Sequence, residues 1–501
     1  MKRIISSFII ICMLSFTATT AYGEELKYSK EAYLADLQVF EELLEKNHGN
    51  LYENVKKEKL DQLFLKAKSK INDKTTIRDF YNELSYIVNA INDGHTSIMS
   101  SDRFSMNTNE DKSYLPLKVK FINKKMYCDF INDYIPVGAE ILEINGDKVD
   151  DIVSKLIYST GSETGTNGLN FKILEAMLDS LYPQMIKYTD KHTIKYKDMK
   201  DNKIKTVVIK SEDVDTQKIY TFAHSNYIKD SYGNPLEPLK AEFHPEKNAA
   251  VLRIFTFAPS DYDGFKLYVD KFFEDVNYLK IKNVIFDVRG NLGGDLELLN
   301  YILAYVKSQP FNAIKSETIK DYDLVRNDLL TPESQQSLES FTQLKESLSE
   351  LEGMTEEQLT EEGVKLIKED LYSYNLEQIE PMKENNFKGN VYALVDGGSF
   401  SCGSIFPQRI QELKNGYLVG EEASGNYYST TAGILPTYYL PNTKLQLTIP
   451  LQQLIMHEEP VKNIPLVSGV KPDYPVELTY DDYMKKIDTQ LEYVYKLIKQ
   501  Q

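Results

Sequence analysis

Beyond residue 248, apolar runs of strand length alternate with runs at helical spacing, and this alternation constrains the fold more than any other feature of the 501-residue chain. Ala250 to Phe257 reads as a buried strand. Phe265, Val269, Phe272, Val276 and Leu279 then recur at intervals of three and four, the spacing of one helix face. The pattern repeats as strand Val284 to Val288, helix Leu296 to Val306, strand Val391 to Val395, helix Ile405 to Leu413 and strand Tyr417 to Gly420. Leu445, Leu447 and Ile449 alternate in a late strand. Repeated switching between the two periods predicts an α/β domain with a largely parallel sheet.

Two of the predicted strand-to-helix turns carry small residues. In Gly290-Asn291-Leu292-Gly293-Gly294 the adjacent glycines leave backbone N–H groups uncovered at the start of a helix, which can hold an oxyanion. A plain tight turn explains the same residues. No Gly-Lys-Ser/Thr follows, and Glu297 stands where a dinucleotide fingerprint needs its third glycine. In Gly397-Gly398-Ser399-Phe400-Ser401-Cys402-Gly403-Ser404, Ser401 opens a helix among small neighbours. A cap is the ordinary role of such a serine, yet the small neighbours leave room for a substrate. Ser399 replaces the first glycine of Gly-x-Ser-x-Gly, so this is not the nucleophile elbow of α/β-hydrolases. Side by side in one sheet, one turn would supply a nucleophile and the other an anion hole.

The preceding residues divide into three parts. Met1-Lys2-Arg3, the apolar run Ile4 to Phe16 and Ala21-Tyr22-Gly23 predict a signal peptide over 1–23. The leader makes a secreted or cell-surface protein the expectation, the Lys-, Ile-, Asn- and Tyr-rich, Trp-free composition suggests a bacterial one, and no later run approaches membrane-spanning length. Residues 24–112 read as an N-terminal helical domain. In it Thr76-Ile77-Arg78-Asp79 resembles a capping box, Phe80, Leu84, Ile87 and Ile91 form one face, and Gly94 is the expected stop. His95 then falls on the turn that follows. Residues 113–212 read as β-rich, with hairpins Leu115–Phe121/Met126–Phe130 and His192–Lys197/Ile204–Ile209. Within them Val137-Gly138-Ala139-Glu140-Ile141-Leu142-Glu143-Ile144-Asn145-Gly146 resembles the PDZ signature, in which a strand edge captures an extended peptide. Residues 213–482 form the α/β core, interrupted at 313–388 by a Glu-, Ser- and Leu-rich stretch expected to be a helical, acidic surface insertion. Residues 483–501 are expected to form a C-terminal helix.

Charge and metal-ligand counts exclude several function classes. Lys and Arg number 58 against 75 Asp and Glu, a net charge of −17 with no basic stripe, so nucleic acid is not an expected partner. The six histidines form no His-Glu-x-x-His, and the three cysteines form no paired motif. Neither a metal nor another cofactor is expected. Cys128 and Cys402, which remain after removal of the leader, are expected as free thiols.

The motifs together resemble those of the tail-specific, or carboxy-terminal processing, serine peptidases. Asp287-Val288-Arg289-Gly290-Asn291-Leu292-Gly293-Gly294 is similar to their Asp-x-Arg-x-Asn-x-Gly-Gly segment, and Ser399 to Phe406 to their nucleophile segment. Asn92-Asp93-Gly94-His95-Thr96 resembles the Asp-x-His-Thr turn of the tricorn-like branch. Gly420 to Gly425 and Gly469-Val470-Lys471-Pro472-Asp473 match two later landmarks in the family's order. The resemblance implies a ClpP/crotonase-like ββα protease core behind an N-terminal helical domain and a PDZ-like β-rich domain. It implies Ser401 as nucleophile, His95 as general base, and an oxyanion hole from the backbone of Gly293, Gly294 and Cys402. It implies a protein or peptide as the substrate.

Two family features are missing. Ala423-Ser424-Gly425-Asn426 stands where another branch has its lysine base, which removes a Ser-Lys dyad. Ile464 to Ser468 contains no acid where the tricorn-like branch has a glutamate to orient its histidine, leaving Glu421, Glu422, Glu458 and Glu459 as sequence neighbours only. The leading reading is therefore a secreted serine endopeptidase. The alternative is a catalytically inactive peptide- or ligand-binding protein on the same fold, and a lipase-type acyl-transfer hydrolase is disfavoured by the missing elbow.

Overall fold

The computed structural model describes residues 28–99, 114–130, 132–159, 161, 163, 166–187, 189–211, 237–320, 323–350, 354–368 and 371–500. The expected signal peptide lies outside them. A six-stranded sheet organises the core in the order Tyr474–Pro475, Gly416–Gly420, Asn390–Val395, Asn283–Asp287, Ala249–Ile254, Leu239–His244. Every pairing is parallel except that of the edge strand Leu239–His244. Its strands read as continuous apolar runs because both faces are covered. Val284 and Phe286 pack with Phe265 and Phe272 of helix Tyr262–Tyr278, Leu299 of Leu296–Ala304 and Phe406 of Cys402–Gln411. The intervening Ile285 packs on the other face with Val494 and Tyr495 of Thr489–Gln500. Among the described residues no helix is long and apolar enough to cross a membrane.

Three helices, Lys30–Asn47, Lys57–Lys70 and Ile77–Ile91, precede the core. The Thr76/Asp79 capping box forms as read. Helix Ile77–Ile91 ends at Asn92 in the left-handed conformation (φ 58°), not at Gly94, since asparagine tolerates that backbone. Asp36, fully buried, accepts bonds from Asn442 N (2.9 Å), Asn442 Nδ2 (2.8 Å), Thr443 N (2.7 Å) and Thr443 Oγ1 (2.6 Å), and so ties the first helix to the core. Asp36→Ala strands these donors and is expected to cost about 3 kcal/mol, read as a lowered thermal midpoint.

Residues 113–212 contain the expected hairpins in a sheet ordered Val119–Ile122, Lys125–Cys128, Glu140–Ile144, Lys191–Lys197, Ile204–Lys210. The region is less purely β than its turns suggest, because it also holds helices Val149–Leu156 and Gly168–Met185. The second of these has Pro183 in its last turn and buried residues on several sides, which blurs its helical signal. Its Leu174 and Leu178 share one apolar cluster with Phe80 and Leu84 of the N-terminal helices.

The 313–388 segment is not the helical insertion the composition suggests. Helices Gln335–Ser349 and Glu356–Glu361 lie between strand Ser316–Lys320 and strands Val364–Lys368 and Leu371–Asn375. These strands extend an antiparallel sheet through Gln452–Ile455 to Ser429–Ala432. Acidic composition hid strands whose inner faces are apolar, as at Ile319 and Val364. The expected C-terminal helix is two, Tyr480–Lys485 and Thr489–Gln500, broken at Lys486 (φ 57°).

Candidate active site

Strand Asn390–Val395 runs through a small-residue turn into helix Cys402–Gln411, and Ser401 is the residue between turn and helix. Its φ of 52° and ψ of −128° are rare for a residue with a side chain, and such strain is held only where the surroundings over-determine it. Ser401 forms no side-chain cap; its Oγ instead lies 3.1 Å from His95 Nε2. The two residues are 306 positions apart in the sequence.

His95 is held on all sides. Its backbone N–H donates to Asp93 Oδ1 (2.8 Å), and its ring lies 4.8 Å, centroid to centroid, from Phe400. Gly94 has no side chain because Phe400 leaves none room: a Cβ there would lie 2.5 Å from Phe400 Cζ. Asp93 is itself fixed by His48, whose Nε2 is 2.8 Å from Asp93 Oδ2 while its Nδ1 accepts the Asn50 N–H (3.1 Å). That backbone donor makes His48 Nε2 the N–H end. Burial alone would raise the Asp93 carboxyl, but His48 and His95 hold it well below the usual carboxylate range.

The acid behind the imidazole is Glu163, which sequence reasoning did not find. Its Oε1 is 3.4 Å from His95 Nδ1, and it is 3 % exposed. Thr430 Oγ1 donates to the same carboxylate and sits 3.4 Å from His95 Nδ1, while Asn426 N donates to Glu163 Oε2 (3.1 Å). The acids considered from sequence lie elsewhere: Glu422 accepts the Gly469 N–H, Glu458 pairs with Lys315, Glu459 is exposed, and Glu421 lies near Lys172 and Asp396. The one available signal was compositional. Glu163 is the lone charge in the run Ser159 to Gly168, otherwise Gly, Ser, Thr and Asn.

The glycine turn faces the serine. Gly293 (φ 112°) lies so close that a Cβ there would be 2.7 Å from Ser401 Cβ and 3.1 Å from its Oγ. Its N–H, however, already donates to Asn291 Oδ1 (2.8 Å), so Gly293 lines the space without a free donor. Gly294 (φ 136°) abuts the Phe257 backbone, and Cys402 Sγ donates to Gly294 O (3.1 Å), joining the two turns. No backbone carbonyl among the described residues accepts the N–H groups of Gly294 and Cys402. Burial pushes the Cys402 thiol up, away from nucleophilic use; it and Cys128 are both free and buried. Asp287 and Arg289 of the same motif turn away from the serine, Arg289 bridging Asp287 and Asp488.

Asp93, His95 and Glu163 bring possible metal-ligand atoms within 4.8 Å of one another. Asp93 already accepts bonds from His95 N, His48 and Thr96, and Glu163 from Thr430 and Asn426, so the donor set is one that orients an imidazole.

Residues 248–476 match the family model of peptidase family S41. Two solved structures share the fold over nearly the full chain. Mature CPAF aligns over 94% of this chain and 97% of its own at 16% identity, TM-score 0.62. Mature CPAF complexed with lactacystin aligns over 94% and 98% at 16% identity, TM-score 0.63. No curated protein matches the sequence.

Proposed function

The chain belongs to peptidase family S41 through residues 248–476, and on that premise we propose that it is a secreted serine endopeptidase in which Ser401 attacks the peptide carbonyl. The 3.1 Å approach of His95 Nε2 to Ser401 Oγ carries this reading. His95 takes the serine proton and returns it to the leaving amine, and Glu163 with Thr430 keeps Nδ1 protonated so that Nε2 is free to accept. The oxyanion is held by the N–H groups of Gly294 and Cys402. Glu163→Gln keeps the shape but can offer Nδ1 the wrong partner. We expect peptide hydrolysis to fall about a hundredfold to ten-thousandfold, with the fold kept. A Glu163→Gln enzyme as fast as the unaltered one would remove Glu163 from the assembly.

In this reading the core is of the ClpP/crotonase ββα type, the substrate is a protein or peptide, and residues 1–23 direct the chain out of the cytoplasm. The 113–212 unit is PDZ-like, with Val119–Ile122 as the edge strand a peptide would join. The Phe121 N–H of that strand donates to Glu175 Oε1 (2.8 Å), so a peptide that joins it must displace that carboxylate. The binding-only alternative rests on two missing groups, the lysine and the acid near Gly469; Glu163, 3.4 Å from His95 Nδ1, supports the peptidase reading against the second.

A further inference from the structure

The two turns that carry the chemistry converge on one buried carboxylate. Asp396 follows strand Asn390–Val395, and its Oδ1 accepts the N–H of Gly290 (2.9 Å) and the N–H of Gly398 (2.9 Å). Gly290 opens the turn that leads to Gly294; Gly398 lies three residues before Ser401. One oxygen therefore sets the spacing between anion hole and nucleophile. The other oxygen, Oδ2, faces Lys172 Nζ at 2.9 Å. Lys172 belongs to neither turn, nor to the residues matching the family model. It comes from helix Gly168–Met185, whose first residue abuts the nucleophile turn: a Cβ on Gly168 would lie 2.9 Å from Gly397 Cα.

We propose that Lys172 is a positioning residue: its ammonium compensates the charge of the buried Asp396 carboxylate, so that the Oδ1 that accepts both N–H groups stays in place and fixes the two catalytic turns at the separation the reaction needs. The proposal rests on the peptidase reading above. A buried carboxylate without a partner charge is unstable and takes up a proton. Burial alone would raise Asp396, but Lys172 outweighs it and brings the carboxyl down to about 2. The other charges facing the pair are Glu175 on the same helix, 3.8 Å from Lys172 Nζ, Lys120 of strand Val119–Ile122, and Glu421 at the end of strand Gly416–Gly420. Lys120 is occupied by Glu175 (2.7 Å) and does not replace Lys172.

The test uses the mature protein and follows peptide hydrolysis and fluorophosphonate labelling in Lys172→Met, Lys172→Arg, Asp396→Asn and the double variant Lys172→Met/Asp396→Asn. Lys172→Met is expected to lose about tenfold to a hundredfold in kcat, with KM changed by less than about threefold and the labelling rate falling by the same factor as kcat. The deficit widens as pH rises, because the lone Asp396 is neutral at low pH and an uncompensated charge above its raised pKa. Lys172→Arg retains most of the activity. Asp396→Asn alone is impaired, since it takes from Lys172 its 2.9 Å carboxylate partner, and the double variant recovers, because an uncharged Asn oxygen still accepts both N–H groups. A general loss of rigidity would give neither the pH-dependent deficit nor the recovery. Unchanged kcat in Lys172→Met, or a double variant no better than that single one, overturns the proposal. So does a Lys172→Met protein unfolded by circular dichroism, which would make the pair a requirement of the fold. Unaltered protein that neither cleaves peptides nor takes the probe sinks the peptidase reading, and this proposal with it.

Discussion

Ser401→Ala is expected to lower peptide hydrolysis by about 10⁶-fold while leaving the fold intact. The Oγ it removes caps no helix N–H, and its partner here is His95 Nε2. The strained backbone is imposed by neighbours and not by the serine itself. Ser399 Oγ donates to Val288 O (2.8 Å) and Phe400 N donates to Asn291 O (3.0 Å), clamping the turn at two points against the neighbouring Val288–Asn291 stretch. Alanine at 401 inherits that conformation, so the thermal midpoint should stay within a few degrees while product formation, followed by mass spectrometry of a cleaved peptide, disappears. Substantial activity in Ser401→Ala would move the nucleophile elsewhere.

His95→Ala is expected to cost almost as much, about 10⁵- to 10⁶-fold, because nucleophile and base act as a unit. Among the described residues no other group is seen in hydrogen-bonding contact with Ser401 Oγ to take over. Asn426 falls in the motif position where a related branch has its lysine, and Lys172 is engaged by Asp396. The loss should not be confused with unfolding. His48, Asp93 and Thr96 form a buried cluster below His95 that does not need its imidazole. A His95→Ala protein that still cleaves would mean that another group is the base.

What could be read in the sequence was what is local. Each strand or helix run after residue 248, and each of the two glycine-rich turns, is one continuous stretch of sequence, and the parallel sheet follows from their order. The Thr76 capping box is equally local. What escaped was assembled from afar. Glu163, His95, Ser401 and Thr430 come from four separate stretches, and no spacing announces that Glu163 and Thr430 meet at one imidazole. The acid was sought near Gly469 because the motifs resembled a family with a glutamate there; here Glu163 comes from the 113–212 unit instead. Local signals also misled where packing decides. Gly94 looked like a helix stop, yet its bareness serves Phe400, and the acidic 313–388 stretch hid strands that join the sheet bearing Thr430.

The most direct test is to expose the mature protein to a fluorophosphonate at neutral pH and locate the adduct by peptide mass spectrometry. The account predicts a single adduct on Ser401 that disappears in His95→Ala. An unmodified Ser401 across the neutral range, or one modified equally fast without His95, would contradict it.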